Sequence, residues 1–497
     1  MSTAPELRPL GRDPSSLELP PLRERLRSSL LQVLNDGPRA PSGLRLASMP
    51  AAEDRLLGHL RASWTDPLQS FLRWHREVGD VVRLRAGGVT IHLFAHPRHI
   101  KAILAERARE VTKPVAGRRA LARVLGHGLL VSEGSFWLRQ RRIAQPAFHK
   151  RRLDAFAERM VAASADLARE WEARARREES FDLAKDMMRL TLRIVQETLL
   201  GATSLADADR IGEAVTVVLE DTNQLIARGF GLPDWLRLPR QRRFTRSLEV
   251  LDEVVRRLIR ERRGKPPQDD LLSMLLEASD EETGERMSDQ QLRDEVMTIF
   301  LAGHETTANA LSWTFYLLGL HPEADRDLAN ELGAVLGDRD PTASDAASLD
   351  YTRMVLQESM RLYPPAWLMA RAPIEDLEID GYYVPAGSRI FLMPWVTHRH
   401  PELWPDPEGF DPERFRDAKA IDRFAYFPFG GGPRICIGNA FAMMEASLVL
   451  ATLAKRFHLE LDPAHRVEPE PLITLRPQGG VRVRARPRAS ARAVSRS

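Results

Sequence analysis

The 497-residue sequence predicts a mainly α-helical protein with small β-sheets. Three long segments carry apolar residues at helical spacing, at about 153–200, 207–228 and 247–263. Two shorter segments alternate apolar and polar residues around glycines, which is typical of β-hairpins, at 82–93 and 472–483. Helices therefore dominate the prediction, and the strands are expected in small sheets.

Composition limits the class of protein. The apolar share of 43% is ordinary for a globular protein, and the formal net charge of +3 is too small to favour nucleic-acid binding. The sequence contains no apolar run of about eighteen residues, and its N-terminus lacks the apolar core of a signal peptide. We therefore expect a cytoplasmic protein without a membrane anchor.

The sequence divides into three parts. Residues 1–48 are rich in Pro, Arg and Ser, and we expect them to form a loosely structured N-terminal extension. Residues 49–485 contain the periodic segments and motifs described below and are predicted to form one domain. Residues 486–497 hold several arginines and no acidic residue, which predicts a disordered basic tail.

A helix carrying Trp137 and Arg141 is predicted within residues 126–148, after the first hairpin. The two residues are four apart, so both side chains point to one side of the helix. On these residues alone, a core tryptophan beside a solvated arginine is the simplest interpretation.

A long helix is predicted to start at Ser288, because Ser288 to Gln291 has the form of a capping box. Within it, residues 302–307 read Ala-Gly-His-Glu-Thr-Thr. A zinc-protease interpretation fails, since the second histidine that it needs at position 308 is an alanine. Threonine hydroxyls can bond back to the helix and weaken its hydrogen-bond ladder. The adjacent acid and hydroxyl, Glu305 and Thr306, suit the delivery of protons to a bound oxygen.

Glu358 and Arg361 lie three residues apart on a further predicted helix, where opposite charges can pair. In a sequence with 28% charged residues this spacing arises often by chance. The pair therefore indicates little until it is combined with other motifs.

Cys436 is the only cysteine of the sequence and lies in the segment Phe429 to Gly438. A single cysteine excludes an internal disulfide, an all-cysteine iron–sulfur cluster and a multi-cysteine zinc site. A lone cysteine is usually an inert buried residue. Here glycines precede it, and a helix predicted to begin near Asn439 presents N–H groups that favour a thiolate. A thiolate in a glycine-lined loop fits an axial haem ligand.

The segment Phe-Gly-Gly-Gly-Pro-Arg-Ile-Cys-Ile-Gly resembles the cysteine-ligand motif of the cytochrome P-450 superfamily at every defined position. The resemblance covers roughly residues 50–485 and points to the soluble bacterial type without a fused reductase. It includes the oxygen-activation motif at 302–307 and the Trp-x-x-x-Arg pair. It also includes Glu358-x-x-Arg361, with Arg414 as the partner of that pair.

This resemblance implies a single mostly helical domain with haem b between the Gly303 helix and the Cys436 helix. Cys436 would be the axial ligand of the iron. Glu358, Arg361 and Arg414 would form a buried charge network behind the haem, with a structural role. The other implied cofactor contacts are Trp137, Arg141, Gly303, Arg371, Phe429, Gly432, Arg434 and Gly438.

The implied reaction is monooxygenation, in which one atom of O2 enters an apolar small molecule and the other is reduced to water. Glu305 and Thr306 would be the catalytic residues. The sequence has no flavin or iron–sulfur domain, so the electrons are expected from a ferredoxin and its reductase, or from a flavodoxin-type donor. We expect a monomer that binds no nucleic acid.

Arg139, Arg142 and the basic residues 150–152 surround the Trp137 helix. Two interpretations carry equal weight: an ordinary solvated face, or the proximal surface on which an acidic electron donor docks. The apolar loop 229–236 also has open interpretations: a lid over the substrate entrance, a transient membrane contact or ordinary packing.

By position in the family, the substrate pocket should be largely aliphatic, which favours a fatty acid, terpenoid, steroid or macrolide-like substrate. A large apolar pocket discriminates poorly between these classes. The residues expected to line it are Ile299, Ala302, Pro365, Ala366, Trp367, Leu368 and Ile473.

Three alternative functions are considered. A haem-thiolate peroxygenase or rearrangement enzyme usually lacks the acid–threonine pair, so Glu305 and Thr306 argue against it. A non-catalytic haem sensor or carrier would not need the oxygen-activation motif. A haem-free scaffold would leave the motif around Cys436 without a purpose.

Overall fold

The structure is a computed structural model, and it describes residues 40–52, 58–86, 88–199, 205–228, 239–264, 266, 270–280 and 282–488. The predicted lid at 229–236 lies outside the described residues. So do residues 1–39 of the predicted extension and residues 489–497 of the predicted tail.

Helices form most of the described chain, which confirms the mainly α prediction. Capping residues start several of them; for example, the Asp66 side chain accepts the N–H of Gln69 at 3.1 Å. Short π or 3-10 turns occur at Ala102–Glu106, Gln145–Phe148, Asp345–Ala347, Pro412–Phe415 and Gly432–Arg434. The α-helices are α1 (Leu60–Thr65), α2 (Pro67–Val78), α3 (Pro97–Lys101), α4 (Val115–Leu125), α5 (Gly134–Ala144), α6 (Lys150–Arg176), α7 (Leu183–Leu199), α8 (Leu205–Arg228), α9 (Pro239–Arg262), α10 (Leu271–Glu277), α11 (Asp289–Leu320), α12 (Pro322–Leu336), α13 (Asp350–Leu362), α14 (Pro394–Thr397) and α15 (Asn439–Ala454).

The strands of the described chain form small sheets. They are β1 (Val81–Ala86), β2 (Val89–Phe94), β3 (Val111–Thr112), β4 (Phe181–Asp182), β5 (Met369–Pro373), β6 (Leu377–Ile379), β7 (Tyr382–Val384), β8 (Arg389–Leu392), β9 (Phe457–Leu461), β10 (Glu468–Pro471), β11 (Leu475–Gln478) and β12 (Arg482–Pro487). One sheet has the order β1-β2-β8-β5-β3 and another the order β4-β12-β9, while β6–β7 and β10–β11 are two-stranded.

The first predicted hairpin is confirmed, since β1 and β2 pair antiparallel from Val81 opposite Phe94 onward. The second predicted hairpin, within 472–483, is wrong. β11 pairs with β10, and β12 pairs with β4 and β9. Gly479 and Gly480 both have positive φ, and the Asp182 carboxylate accepts the next N–H, that of Val481, at 3.1 Å. That contact draws the chain toward β4, so it does not fold back on β11.

The capping box at the start of α11 is confirmed. The Ser288 hydroxyl accepts the N–H of Gln291 at 3.2 Å, and the Gln291 side chain accepts the N–H of Ser288 at 2.7 Å. The helix then runs without a break for 32 residues, about 48 Å at the rise of an α-helix. Most of its residues are buried, so it runs through the interior of the fold.

Two hydrophobic clusters meet on α11. One combines residues of α6, α7, α11 and α15, including Trp171, Phe315 and Leu448. The other combines residues of α4, α8, α9 and α11, including Val218 and Phe300. The central helix is therefore held from both sides. In the described part of the chain, no helix combines the length and apolarity needed to cross a membrane.

Residues just outside both predicted limits of the domain, 49 and 485, make contacts with it. Arg45 accepts the N–H of Tyr383 at 2.9 Å, and Ser48 accepts that of Arg83 at 2.9 Å, with Ala47 buried between them. The last residues of the predicted extension are thus part of the sheet edge, because they satisfy its backbone groups. At the other end, the Arg488 side chain donates to Asp325 at 2.6 Å, beyond the predicted limit at residue 485.

Candidate functional site

The loop before α15 holds Cys436 in a fixed position. Its N–H donates to the Phe429 carbonyl at 2.9 Å. Gly432 has φ +65°, and a Cβ there would lie 1.8 Å from the carbonyl oxygen of Leu104. Only glycine fits this close approach of two backbones. The loop is therefore braced against the turn Ala102–Glu106.

The Cys436 side chain is exposed by surface area, yet burial among surrounding atoms raises its pKa. Both observations follow if the thiol lines an internal space. The N–H of Gly438 and the charge of Arg141 lower the pKa, but burial outweighs them. The N–H groups of the helix favour the thiolate, as expected from the sequence, but they are not sufficient to lower the pKa of Cys436. A coordinated metal ion removes the thiol proton outright.

One face of α11 is accessible although the helix lies in the core. From Leu292 to Phe315 every residue is buried except four at helical spacing. These four form what we call the accessible stripe: Ile299, Ala302, Gly303 and Thr306. Ile299, and Ile437 next to Cys436, pack against the same hydrophobic cluster. The stripe and the cysteine loop therefore border the same region.

Glu305 and Thr306 point in different directions. Thr306 lies on the accessible stripe, and its hydroxyl donates to the Ala302 carbonyl at 2.8 Å. Glu305 is only 3% exposed and accepts the Thr474 hydroxyl at 2.8 Å. Burial raises its pKa, which Thr474 and the charge of Arg476 offset in part. The two predicted catalytic residues are neighbours in sequence but do not face the same space.

Arginines surround the cysteine loop. The Arg434 guanidinium stacks 3.9 Å above the Trp137 ring, donates to the Ser132 carbonyl at 2.9 Å and pairs with Glu133. Arg141 donates to the Ile435 carbonyl at 2.8 Å. The predicted Trp137 helix, which is α5, is thus attached to the loop that carries Cys436.

Arg434, Arg371 and Lys113 line one cleft with Glu133 as its acid, and we call these three cations the cation cluster. Lys113 donates to the Leu130 carbonyl at 2.6 Å and lies 3.9 Å from Glu133. Burial lowers the pKa of each cation, that of Arg434 to about 10. Three cations facing one carboxylate leave an excess of positive charge that suits an anionic ligand.

Three features fit a haem at this place. The thiol of Cys436 can bind iron, and the cation cluster can bind the two carboxylates of a porphyrin. At Gly438 an added Cβ would meet only Phe148, at 3.9 Å, so a flat ligand can approach the backbone. Lys113 and Glu133 were missed from the sequence, since neither belongs to a recognisable motif.

The predicted network of Glu358, Arg361 and Arg414 is brought together. Arg361 donates to Glu358 through two bonds, of 2.6 and 2.7 Å, and both side chains are completely buried. The Arg414 Nε lies 3.4 Å from Glu358. Arg361 also donates to the carbonyls of His398, Pro407 and Gly409 at 2.7–2.9 Å. The donors of a buried arginine are thereby satisfied.

The predicted pocket segments lie next to each other. Pro365 accepts the N–H of Leu475 at 2.9 Å, and the Trp367 indole donates to the Leu472 carbonyl at 2.8 Å. Trp367 is buried, whereas three other predicted lining residues are half-buried: Ala366, Leu368 and Ile473. Residues 365–368 and 472–475 therefore pack side by side.

The predicted basic face is partly neutralised. Arg139 donates to Glu285 at 2.6 Å, and Arg142 pairs with Asp280 at 2.9 Å and with Glu282. The side chains of residues 150–152 lie outside the described part of the chain. An acidic docking partner would have to compete with these acids of the same chain. They were not anticipated, because they lie about 140 residues away in sequence.

A second group of polar residues lies outside this site. One ligand atom each of His75, Asp80 and His400 lies within 4.8 Å of the others. The His400 Nδ1 accepts the N–H of Glu402 at 3.2 Å, so its Nε2 carries the proton and donates to Asp80 at 2.8 Å. The group is therefore a hydrogen-bonded link between α2 and the segment after α14.

Comparison with known proteins agrees with this site. A family model described as Cytochrome P450 matches residues 56–482. The chain is 37% identical to cyclooctatin synthase of Streptomyces melanosporofaciens, over 88% of this chain and 93% of the relative. It is 38% identical to cyclooctat-9-en-7-ol 5-monooxygenase of the same organism, over 82% and 88%. For pentalenene oxygenase of Streptomyces avermitilis the identity is 33%, over 84% and 93%. The chain belongs to the cytochrome P450 family and is a haem-thiolate monooxygenase.

Proposed function

We propose that this cytochrome P450 oxygenates a cyclic terpenoid, either a hydrocarbon or an alcohol derived from one. The observation that carries the proposal is the accessible stripe on α11, where the exposed groups are aliphatic except for one hydroxyl, that of Thr306. An aliphatic wall of this kind suits a compact apolar molecule. The names of the relatives point the same way, since they refer to pentalenene and to cyclooctat-9-en-7-ol.

The cofactor we propose is haem b, which when bound supplies the activation of dioxygen. Cys436 holds its iron through the thiolate. Arg141 and the cation cluster bind its carboxylates, and Trp137 fixes the plane of Arg434. Thr306 offers a hydroxyl to the space beside the stripe, and Glu305 is the acid that can supply protons to that hydroxyl.

Electrons are proposed to come from a separate ferredoxin with its reductase or from a flavodoxin-type donor, docking near α5. We further propose a cytoplasmic monomer with one domain over about residues 44–488. Cell fractionation checks the cytoplasmic location, and light scattering checks the monomeric state. Reduction of the protein by purified ferredoxins and flavodoxins, one at a time, checks the first.

The substrate proposal is tested by titrating the purified ferric protein while following its Soret absorbance. The probes are cyclic sesquiterpene and diterpene hydrocarbons, their monohydroxylated derivatives, fatty acids, steroids and macrolides. We expect a saturable shift toward the high-spin form with the cyclic terpenoids, because a fitting molecule displaces water from the iron. A saturable shift with fatty acids or macrolides alone would contradict the proposal.

A further inference from the structure

Three successive residues of α11 face three different environments. Thr306 lies on the accessible stripe, Glu305 faces Thr474, and Thr307 lies beside Glu445 of α15. This follows from the turn of about 100° per residue in an α-helix. The acid that is expected to serve Thr306 is therefore held on another side of the same helix.

The contact that holds Glu305 has a defined direction. The Asn309 amide donates to the Thr474 hydroxyl at 3.1 Å, and Thr474 in turn donates to Glu305 at 2.8 Å. Asn309 lies one turn after Glu305 on α11, and all three side chains are buried. Because the amide fixes the hydroxyl as acceptor, the single hydroxyl proton is directed at the carboxylate.

We propose that Thr474 and Asn309 are positioning residues that hold Glu305 away from the accessible stripe, and that proton delivery to Thr306 requires Glu305 to leave this hydrogen bond. The proposal rests on the monooxygenase function, but it concerns residues that no motif assigned. Thr474 acts as a latch on the acid, which can turn toward the stripe only when the bond opens.

The surroundings of Glu305 support a proton path that enters from the strand side. Thr474 directly precedes β11, which carries Arg476, and the charge of Arg476 acts on Glu305. Arg476 pairs with Glu470 at 2.8 Å, and both side chains are about one-third exposed. In this proposal, protons reach Glu305 from the side of this exposed pair while the acid is held, and Thr306 receives them after its release.

The other titratable groups nearby do not compete for this role. His304 precedes Glu305 on α11, and burial lowers its pKa to about 4, so it is neutral near pH 7. Burial raises the pKa of Glu445 well above its ordinary value, and this acid lies beside Thr307. Arg476 is the charged side chain on the β11 side, and it favours the ionised form of Glu305.

The test uses the haem-loaded enzyme and four variants: Thr474→Val, Thr474→Ser, Asn309→Leu and Glu305→Gln. Thr474→Val removes the hydroxyl with little change of shape, and Thr474→Ser keeps it. Infrared difference spectra against pH, without substrate, follow the carboxyl band that is lost in Glu305→Gln. In Thr474→Val we expect the midpoint of this band at higher pH, since a bond that favours the charged form is lost. Thr474→Ser should match the wild type, and Asn309→Leu should show a smaller shift in the same direction.

Turnover supplies the second readout. If the bond is a latch, product formation in Thr474→Val rises about two- to tenfold and the solvent isotope effect falls, whereas Glu305→Gln loses most product formation. A loss in Thr474→Val as large as that in Glu305→Gln would overturn the latch and make Thr474 a relay. An unshifted infrared midpoint would overturn the positioning role itself.

Thr307→Val serves as the matched control, because it removes a hydroxyl beside the other buried acid and should leave the Glu305 midpoint unchanged. Haem content measured for every variant separates misfolding from the effects of interest. The infrared experiment needs no substrate, so a wrong terpenoid assignment leaves its outcome intact.

Discussion

Burial sets the direction of the pKa shifts of the charged residues in and around this site. Lys113, Arg371 and Arg434 face a single carboxylate, and desolvation lowers the pKa of each cation. Glu305 and Glu445 show the opposite direction, because desolvation disfavours the charged form of an acid. Desolvation therefore disfavours the charged form of the three cations and of the two acids alike.

Glu295 provides a pH-dependent prediction. It is completely buried on α11, accepts the N–H of Leu129 at 3.0 Å, and has a pKa raised by burial from 4.5 to about 8. The folded protein then keeps a proton that the unfolded chain releases between these pH values, so stability falls as pH rises through this window. We expect Glu295→Gln to flatten that decline, which amounts to at most about 1.4 kcal/mol per pH unit.

Chemical denaturation of the two proteins at several values between pH 5 and pH 8 measures the effect. The exposed Glu282→Gln is the control and should keep the wild-type slope. Parallel slopes for Glu295→Gln and the wild type would show that Glu295 is ionised in the folded state.

Residues of the site were predictable from the sequence only where a motif fixed them. Cys436, Glu305 and Thr306 lie in short patterns whose spacing has a chemical meaning. Glu133 and Thr474 lie in no such pattern. Glu133 acquires its role from Arg434, about 300 positions away, and Thr474 from Glu305, about 170 positions away. Such contacts depend on tertiary proximity, which a local pattern does not encode.

Among the elements, α11 contributes most to the site. Its start was predictable from the capping box, and two positions predicted to line the pocket, Ile299 and Ala302, lie on its accessible stripe. The partners of β11 and β12 were not predictable, because the glycines between them allow several directions and a distant aspartate, Asp182, selects one. Elements with strong local signals were thus anticipated, and their pairing was not.

Thr306→Ala tests the role of the stripe. We expect haem binding to persist while product formed per pair of electrons consumed falls about tenfold and peroxide rises, since a positioned proton donor contributes at least that much. Thr314→Ala is the matched control. Its hydroxyl bonds back to Ala310 at 2.7 Å in the same manner as that of Thr306, but it is buried. Equal losses in the two variants would assign the effect to the helix instead of the hydroxyl.

Helix α13 allows two ion pairs with the same spacing to be compared. Glu358 and Arg361 are completely buried, whereas Asp350 and Arg353 are largely exposed. Glu358→Ala leaves a buried cation without its partner and should destabilise the protein by about 3–5 kcal/mol. Asp350→Ala should cost less than about 1 kcal/mol. Denaturation midpoints and haem content measure both, and similar losses would contradict the structural role of the buried pair.

The whole molecule is organised around a central helix that two hydrophobic clusters share. Periodicity was sufficient to predict a mainly helical protein, because long amphipathic segments must bury their apolar faces against one another. Contacts of residues outside the predicted domain limits were harder to predict from the sequence. Residues 44–48 lack periodicity, and they join the fold through backbone hydrogen bonds that any sequence can make.

The central claim for the whole molecule is that the space beside the stripe binds haem through the thiolate of Cys436. The most direct measurement is the absorbance of the reduced protein under carbon monoxide, for the wild type and for Cys436→Ala. The wild type should show the red-shifted Soret band of thiolate ligation, and the variant should lack it. A red-shifted band of full intensity in Cys436→Ala would contradict the account.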